Sequence, residues 1–198
     1  MTPRARRWTI GLVLYLGAVA LGIGSAWWVL KAAPWMNNSV TVGAWRANLR
    51  AGSPDADMYT RASVALNALL ALGRDETMYF IATHDDQGRT LQSHCSYRIE
   101  GLPPKARWWS VTAYADDLFL FDAANQHYSL NGSTAALNAQ GRFTLTTGPQ
   151  AWDGSFWLPT PGKSGLVLAL RLYNPDPSLQ AAPASLQAPA ITRVADCP

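Results

Sequence analysis

The sequence predicts a mainly β protein, an antiparallel β-sandwich or jelly-roll with one preceding α-helix, plus one N-terminal transmembrane helix. Two observations predict this fold class. Short stretches of alternating polar and apolar residues, separated by Pro, Gly and Asn, recur after residue 73, and such spacing is typical of all-β domains. One long uncharged segment stands at the amino end, from Trp8 to Leu30. The 198 residues suffice for one ordinary domain and little more.

The uncharged segment is 23 residues long, enough to cross a hydrocarbon core of roughly 30 Å as a helix. Arg4, Arg6 and Arg7 precede it, whereas only Lys31 follows closely. The positive-inside bias then keeps the amino terminus in the cytoplasm and exports the rest. We therefore expect a single-pass inner-membrane protein with a periplasmic domain. The alternative is a cleaved signal peptide, because small residues stand at 24–26, where signal peptidase cleaves.

The charge distribution argues against a nucleic-acid partner. Four of the 16 basic residues lie in the first 31 positions, which leaves 12 basic against 13 acidic residues in the remainder. Binding to phosphates needs a clustered surplus of Lys and Arg. The expected organisation is a cytoplasmic tail at 1–7, the transmembrane helix at 8–30, a juxtamembrane connector at 31–52, and an extracytoplasmic β-sandwich domain at 53–198 with an extended Pro/Ala-rich tail from 175.

Residues 53–73 predict one soluble helix. Ser53 suits the N-cap, and Pro54 suits the first helical position. Gly73 ends the run. Apolar residues recur between them at helical spacing, and we expect them to pack in the core. These residues are Met58, Ala62, Ala65, Leu66, Leu69 and Leu70.

The strands begin after this helix. Two of them, at 76–83 and 90–101, are predicted to form a hairpin around the turn sequence "HDDQGR". We interpret His84, Asp85 and Asp86 as loop residues, because a calcium loop needs more oxygen ligands at fixed spacing. No metal and no cofactor is expected. Further strands are predicted at 108–114, 118–121, 127–130, 142–146 and 166–173.

The two cysteines, Cys95 in a predicted strand and Cys197 beside the carboxyl end, agree with export. An oxidising compartment favours a disulfide between them. Such a bridge closes about a hundred residues and contributes up to ~4–5 kcal/mol in the chain-entropy model. The alternative is two unrelated thiols.

The stretch "RWWSVTAY" places its two tryptophans on opposite sides of a strand. Trp109 belongs to the apolar side, which should be buried, whereas Trp108 and Tyr114 belong to a polar and aromatic side. In "GLVLALRLYNP" the leucines point inward, and Arg171 and Tyr173 point the other way. Arginine and aromatic side chains on one face can stack on sugar rings or bind a carboxylate. The alternative is an arginine paired within the fold under a covering loop.

Four segments in consistent order resemble the signature of a bacterial family, domain of unknown function 1214. They are "YRIEGLPPKARWWSVTAY", "HYSLN", "WLPTPG" and "LALRLYNPDP". The match covers about residues 58–194 and is similar to the short subgroup in which one amino-terminal span carries the domain. The resemblance implies a β-sandwich in an envelope setting and no established reaction.

This chain departs from the family pattern at specific positions. His127 stands where the family usually has arginine, and Phe156 where it usually has asparagine. The Gly-x-Trp that the family tends to carry near its end is also absent. A ligand that those positions help to bind in the family is therefore bound differently here or not at all.

Catalysis has weak support in the sequence. There is no Gly-x-Ser-x-Gly elbow and no motif that links a histidine to a serine. A glycosidase needs two carboxylates beside a cleft, but Asp116 and Asp117 are also ordinary turn residues. "PTPGKSG" lacks the first glycine of a phosphate loop and leads into a strand. The candidate residues for a catalytic role are Asp116, His127 and Arg171.

The leading hypothesis is a non-catalytic binding or interaction module of the bacterial envelope, whose partner is an envelope glycan, lipid or protein. The candidate ligand-binding residues are Trp108, Tyr114, His127, Arg171 and Tyr173. The alternative is a periplasmic hydrolase or lyase acting on envelope carbohydrate. A third hypothesis is a structural subunit that assembles through the apolar anchor and connector.

Overall fold

A computed structural model describes residues 3–32, 39–66, 72–152, 154–162, 164–194 and 197. Helix α1 spans Pro3–Ala32, α2 spans Met58–Leu66, and α3 spans Pro177–Ala181, followed by a 3₁₀ turn at Pro183–Ser185. Strands β1 to β10 are, in chain order, Ser39–Val42, Trp45–Asn48, Thr77–Ala82, Tyr97–Gly101, Ala106–Ala115, Ser129–Asn131, Phe143–Gly148, Phe156–Pro159, Leu166–Pro175 and Ala190–Arg193.

The strands form two sheets. The six-stranded sheet has the order β1-β2-β3-β9-β5-β6, and the four-stranded sheet has the order β10-β4-β7-β8. The pairs are antiparallel except β7 with β8, which is parallel. A mainly β, two-sheet domain with a preceding helix and an apolar amino-terminal helix confirms the predicted fold class.

The inner faces of the two sheets enclose the core. On β9 the four leucines at alternate positions, from Leu166 to Leu172, are all buried, because successive side chains of a strand point to opposite faces. Trp109 on β5 meets Phe143 on β7 with ring centroids 4.7 Å apart. This contact joins the six-stranded sheet to the four-stranded sheet.

The sheets include strands that the sequence did not predict. β1 and β2 lie within 39–48, inside the expected connector, and β10 lies inside the expected extended tail. Trp45 on β2 is fully buried, and its indole Nε1–H donates to the Pro189 carbonyl at 2.7 Å. This side chain ties the beginning of the domain to its carboxyl end.

The predicted hairpin at 76–83 and 90–101 is wrong. Its turn forms, with the backbone N–H of Asp85 donating to the Arg89 carbonyl at 2.9 Å. The second strand, however, begins only at Tyr97 and belongs to the other sheet. Residues 91–96 make the crossing between sheets, so Cys95 lies in a bend and not in a strand.

The predicted start of the soluble helix is also wrong. α2 begins at Met58, and the Asp57 carboxylate caps it by accepting the Thr60 backbone N–H at 2.9 Å. Ser53 instead accepts the Asp55 N–H within a preceding turn, at 3.2 Å. Met58 and Leu66 are 82% and 63% exposed, so the expected core packing of these residues is wrong; Leu69 and Leu70 lie outside the described residues.

The predicted disulfide between Cys95 and Cys197 is confirmed, with the two Cα atoms 4.7 Å apart. It closes a loop across a sequence separation of 102 residues. Because a cross-link of this length restricts the unfolded chain, it stabilises the fold by roughly 2–4 kcal/mol. It also holds Cys197 against the crossing between the sheets.

Candidate functional site

The two adjacent tryptophans of β5 lie on opposite faces of the six-stranded sheet, as predicted. Trp109 is 5% exposed and belongs to the core, whereas Trp108 is 37% exposed on the outer face. Val111 and Ala113 follow Trp109 into the core. The outer face of β5 therefore carries Trp108 and Tyr114, with Ser110 and Thr112 between them.

Arg171 lies at the centre of this outer face. In the register of the sheet it pairs with Tyr79 of β3 on one side and with Ser110 of β5 on the other. Ser110, Thr112 and the neighbouring Ala169 are buried, each 3% exposed. These small residues form a floor over which the long arginine side chain can lie.

The guanidinium of Arg171 is fixed by neutral groups. It donates to the Tyr114 hydroxyl at 2.5 Å and to the Thr112 hydroxyl at 3.4 Å. Its Cζ lies 5.4 Å from the centroid of the Tyr114 ring, in cation–π range. Among the described residues no carboxylate forms an ion pair with Arg171. A guanidinium has five N–H donors, and the hydrogen bonds to Tyr114 and Thr112 use two of them.

A pair of aromatic rings lies two residues along β9 from Arg171 on the same face of the sheet. Trp108 and Tyr173 stack edge to face, with ring centroids 5.2 Å apart and planes inclined by 62°. Such pairs hold both rings in a defined orientation. We call the whole set the Arg171 surface; its members are Tyr79, Trp108, Thr112, Tyr114, Arg171 and Tyr173.

Tyr79 is a member that the sequence analysis missed. Burial raises the pKa of its phenol above the ordinary value of 10.0, the nearby Tyr173 raises it further, and Arg171 acts in the opposite direction. The alternation in "TMYFIA" places Thr77, Tyr79 and Ile81 on one face. The sequence does not reveal that β3 lies next to β9, so the proximity of Tyr79 to Arg171 was not predictable.

The Arg171 surface lies on the outer face of the sheet, where Trp108 is exposed and Tyr79, Tyr114, Arg171 and Tyr173 are partly exposed. A small cavity beside it, lined by residues of β2 and β3 that include Thr77 and Tyr79, has a volume of about 10 Å³. This volume holds about one water molecule. The Arg171 surface is therefore suited to binding an extended ligand along one of its sides.

His127 stands apart from the other predicted ligand-binding residues. Its ring stacks on Phe156, with centroids 4.7 Å apart and planes 17° from parallel. Asn125 orients the turn, because its side-chain oxygen accepts the His127 backbone N–H at 2.9 Å. The two positions at which this chain departs from the family pattern thus contact each other, and they join the loop before β6 to β8.

The carboxylates considered for catalysis lie in turns. Asp117 accepts the Phe119 backbone N–H at 3.0 Å, and Leu118 adopts a left-handed conformation with φ of 67°. The predicted strand at 118–121 is therefore wrong, because these residues reverse the chain after β5. Asp116 is exposed in the same turn, and Asp153 lies outside the described residues.

Helix α1 is separate from these sites. Arg6–Val29 is long and apolar enough to cross a membrane, and it lies near the amino terminus, as a signal sequence also does. A disulfide is typical of proteins in an oxidising compartment. α1 is the part of the chain that suggests membrane anchoring.

A protein family described as "Protein of unknown function (DUF1214)" matches residues 76–177. The chain belongs to this family. The matched range contains every residue of the Arg171 surface, together with His127 and Phe156. Among curated proteins, none matches the chain.

One of two similar solved structures supports the fold of this DUF1214 domain. The VPA0106 protein from Vibrio parahaemolyticus matches with a TM-score of 0.58 and 23% identity, over 71% of this chain and 36% of that one. An uncharacterized protein from Burkholderia cenocepacia matches with a TM-score of 0.45 and 15% identity, over 59% and 30%. The chain thus spans about a third of the length of these proteins. The first similarity shows the fold alone.

Proposed function

We propose that this chain is a membrane-anchored extracytoplasmic binding module of the bacterial envelope, and that the Arg171 surface binds an acidic saccharide. The observation that carries the proposal is the guanidinium of Arg171. Tyr114 and Thr112 hold it in place on an open sheet face, and no carboxylate among the described residues neutralises it. A fixed cation without an internal counter-ion is suited to an anionic ligand.

The chemistry of the surface favours a carboxylate on a sugar. A planar guanidinium matches a carboxylate in a two-point hydrogen-bonded pair. Trp108 and Tyr173 offer apolar ring surfaces for the C–H groups of a sugar, and the tyrosine hydroxyls offer hydrogen bonds. The open shape accommodates an internal segment of a polymer. Glycans that contain uronic acids have all of these features.

The location proposed for the domain is the periplasmic side of the inner membrane. Arg4, Arg6 and Arg7 precede the apolar segment, which favours an amino terminus in the cytoplasm. In this arrangement residues 1–7 are cytoplasmic, 8–30 span the membrane, and the folded domain begins at β1. The disulfide between Cys95 and Cys197 supports this side of the membrane, because thiols stay reduced in the cytoplasm.

Binding of the full-length chain in detergent micelles to alginate, a polymer of uronic acids, and to neutral dextran tests the proposal. Alginate should bind and dextran should not. Arg171→Ala should lower the affinity for alginate by about tenfold or more, since hydrogen bonds to a charged group contribute about 1.5–3 kcal/mol. Arg171→Lys should recover part of the loss, because lysine keeps the charge but not the planar fork.

The matched control is Arg142→Ala. Arg142 is also partly exposed, but it already pairs with Glu100 at 2.7 Å on the four-stranded sheet, so its removal should leave binding intact. Equal losses for the two arginine variants, or unchanged binding by folded Arg171→Ala, would contradict the proposal. Cleavage of alginate that disappears in Asp116→Ala or His127→Ala would support the hydrolase or lyase alternative.

A further inference from the structure

Helix α2 turns its apolar side away from the protein. Met58, Ala62, Ala65 and Leu66 follow the i, i+4, i+7, i+8 spacing of a single helical face. Met58 and Leu66 are largely exposed, and the adjacent Tyr59 is half-exposed. On the opposite side, Thr60 is fully buried. The usual arrangement of an amphipathic helix on a globular domain is therefore reversed.

The position of α2 indicates what covers this face. α2 contacts α1, with Cα atoms of the two helices within 8 Å of one another. α1 is the helix that is long and apolar enough to cross a membrane. In α1, residues 6–28 are exposed and Val29, near the carboxyl end, is partly buried, which indicates that the contact is at this end of the helix. A helix beside the end of a membrane span lies at the bilayer surface, and an apolar side that faces away from its own domain can enter the lipid there.

We propose that α2 is an interfacial helix that inserts Met58, Tyr59 and Leu66 into the outer leaflet of the membrane crossed by α1. This inference depends on the proposed membrane anchoring. Tyr59 is suited to this depth, because a tyrosine ring is apolar while its hydroxyl stays hydrated. The insertion orients the sandwich relative to the membrane, which a single span on a short connector does not do.

Apolar contact and not charge holds α2 to the lipid. Asp55 and Asp57 are exposed at the start of the helix, and Arg61 is the only basic side chain within Met58–Leu66. Arg61 is moreover engaged with the backbone carbonyls of Pro54 and Ala56, at 2.8 and 2.9 Å. Binding of this helix should therefore be the same on neutral and on anionic lipids, unlike that of a basic amphipathic helix.

The experiment uses the full-length chain reconstituted into phosphatidylcholine vesicles with brominated acyl chains. An environment-sensitive fluorophore is attached to Leu66→Cys while the native disulfide stays oxidised. The control is the same label on Gln140→Cys, an exposed turn residue of the four-stranded sheet. We expect blue-shifted emission and strong quenching by the brominated lipid at position 66, with little of either at position 140. Adding phosphatidylglycerol should not change the quenching.

Two results would overturn the inference. One is a water-like, unquenched label at position 66 in chains that still float with the vesicles. The other is disulfide cross-linking of Leu66→Cys between two chains, which would show that a second copy covers the face. Release of the domain from the vesicles after cleavage near 24–26 would instead refute the membrane anchoring on which the inference depends. The alginate measurement tests the Arg171 surface separately.

Discussion

The two faces of the six-stranded sheet differ in what their side chains do, and β9 shows the difference in consecutive residues. Leu170 is fully buried between the sheets, whereas the next residue, Arg171, lies on the outer face among aromatic rings. The inner side chains of β3, β5 and β9 are apolar and contribute to stability through burial. The outer side chains include Arg171, whose guanidinium has hydrogen bonds to Thr112 and Tyr114 and lies over the Tyr114 ring. The fold therefore depends on one face, and the proposed binding depends on the other.

The largest expected difference is between the adjacent tryptophans. Trp109→Ala should lower the free energy of unfolding by about 3–5 kcal/mol, because it leaves a cavity against Phe143. Trp108→Ala should lower it by about 0.5–1.5 kcal/mol, the value of its edge-to-face contact with Tyr173. Denaturant unfolding of the full-length chain in micelles measures both. Similar losses for the two variants would remove the distinction between the faces.

Leu170 and Arg171 on β9 give a second comparison of the inner and outer faces, with a smaller expected difference in unfolding free energy. Leu170→Ala should cost about 2–5 kcal/mol of unfolding free energy, whereas Arg171→Ala should cost about 1 kcal/mol or less, as is usual outside a core. The same unfolding measurement applies, combined with alginate binding. A large loss of stability in Arg171→Ala would mean that this arginine is structural.

Acid should lower the stability of the domain by protonating carboxylates in its loops, because the inner side chains of β3, β5 and β9 do not ionise. Burial acts to raise the pKa of Asp85, but hydrogen bonds from Arg89 and Gln87 lower it overall, below the ordinary 3.8. The stability from this carboxylate is complete above the unfolded pKa and is lost as pH falls through the lower folded value. Asp85→Asn should cost about 1.5–3 kcal/mol at neutral pH and flatten the acid limb of a stability–pH curve. An unchanged acid limb would contradict this assignment.

The smallest expected effect is a loss of stability at alkaline pH. It should arise from the ionisation of Tyr79 on the outer face of the six-stranded sheet. Burial raises the pKa of Tyr79, so its phenol resists ionisation more in the folded state than in the unfolded state. Stability should therefore decline as pH rises above 10.0 towards the folded pKa. Tyr79→Phe should remove this decline. An ultraviolet difference titration that finds Tyr79 ionising together with exposed tyrosines would contradict the compact packing of the Arg171 surface.

The features that the sequence predicted correctly depend on the local periodicity and composition of the chain. The two-residue repeat assigned Trp108, Trp109, Arg171 and the β9 leucines to their faces, because alternation along a strand needs no knowledge of its neighbours. The disulfide was predictable because two cysteines have one way to pair, and the apolar amino-terminal segment favours an oxidising compartment in which they do so. The four sequence motifs that resemble the family signature identified the domain at residues 76–177.

The features that were missed depend on long-range contacts. β1 and β2 have four residues each, too few to show a period, and they exist because β3 provides an edge for them. The sequence left Tyr79 out of the candidate site because the order β3-β9-β5 is not encoded locally. The apolar side of α2 was assigned to the core because helical spacing reports which residues share a face and not what that face contacts.

The most direct test of the central claim is hydroxyl-radical footprinting of the full-length chain with and without alginate. This measurement reports the exposure of individual aromatic side chains. We predict protection of Trp108, Tyr114 and Tyr173 in the complex, with exposed aromatic residues elsewhere, such as Phe119, unchanged. Alginate that binds while these three rings keep their free reactivity would place the ligand elsewhere and contradict the assignment of the outer face to binding.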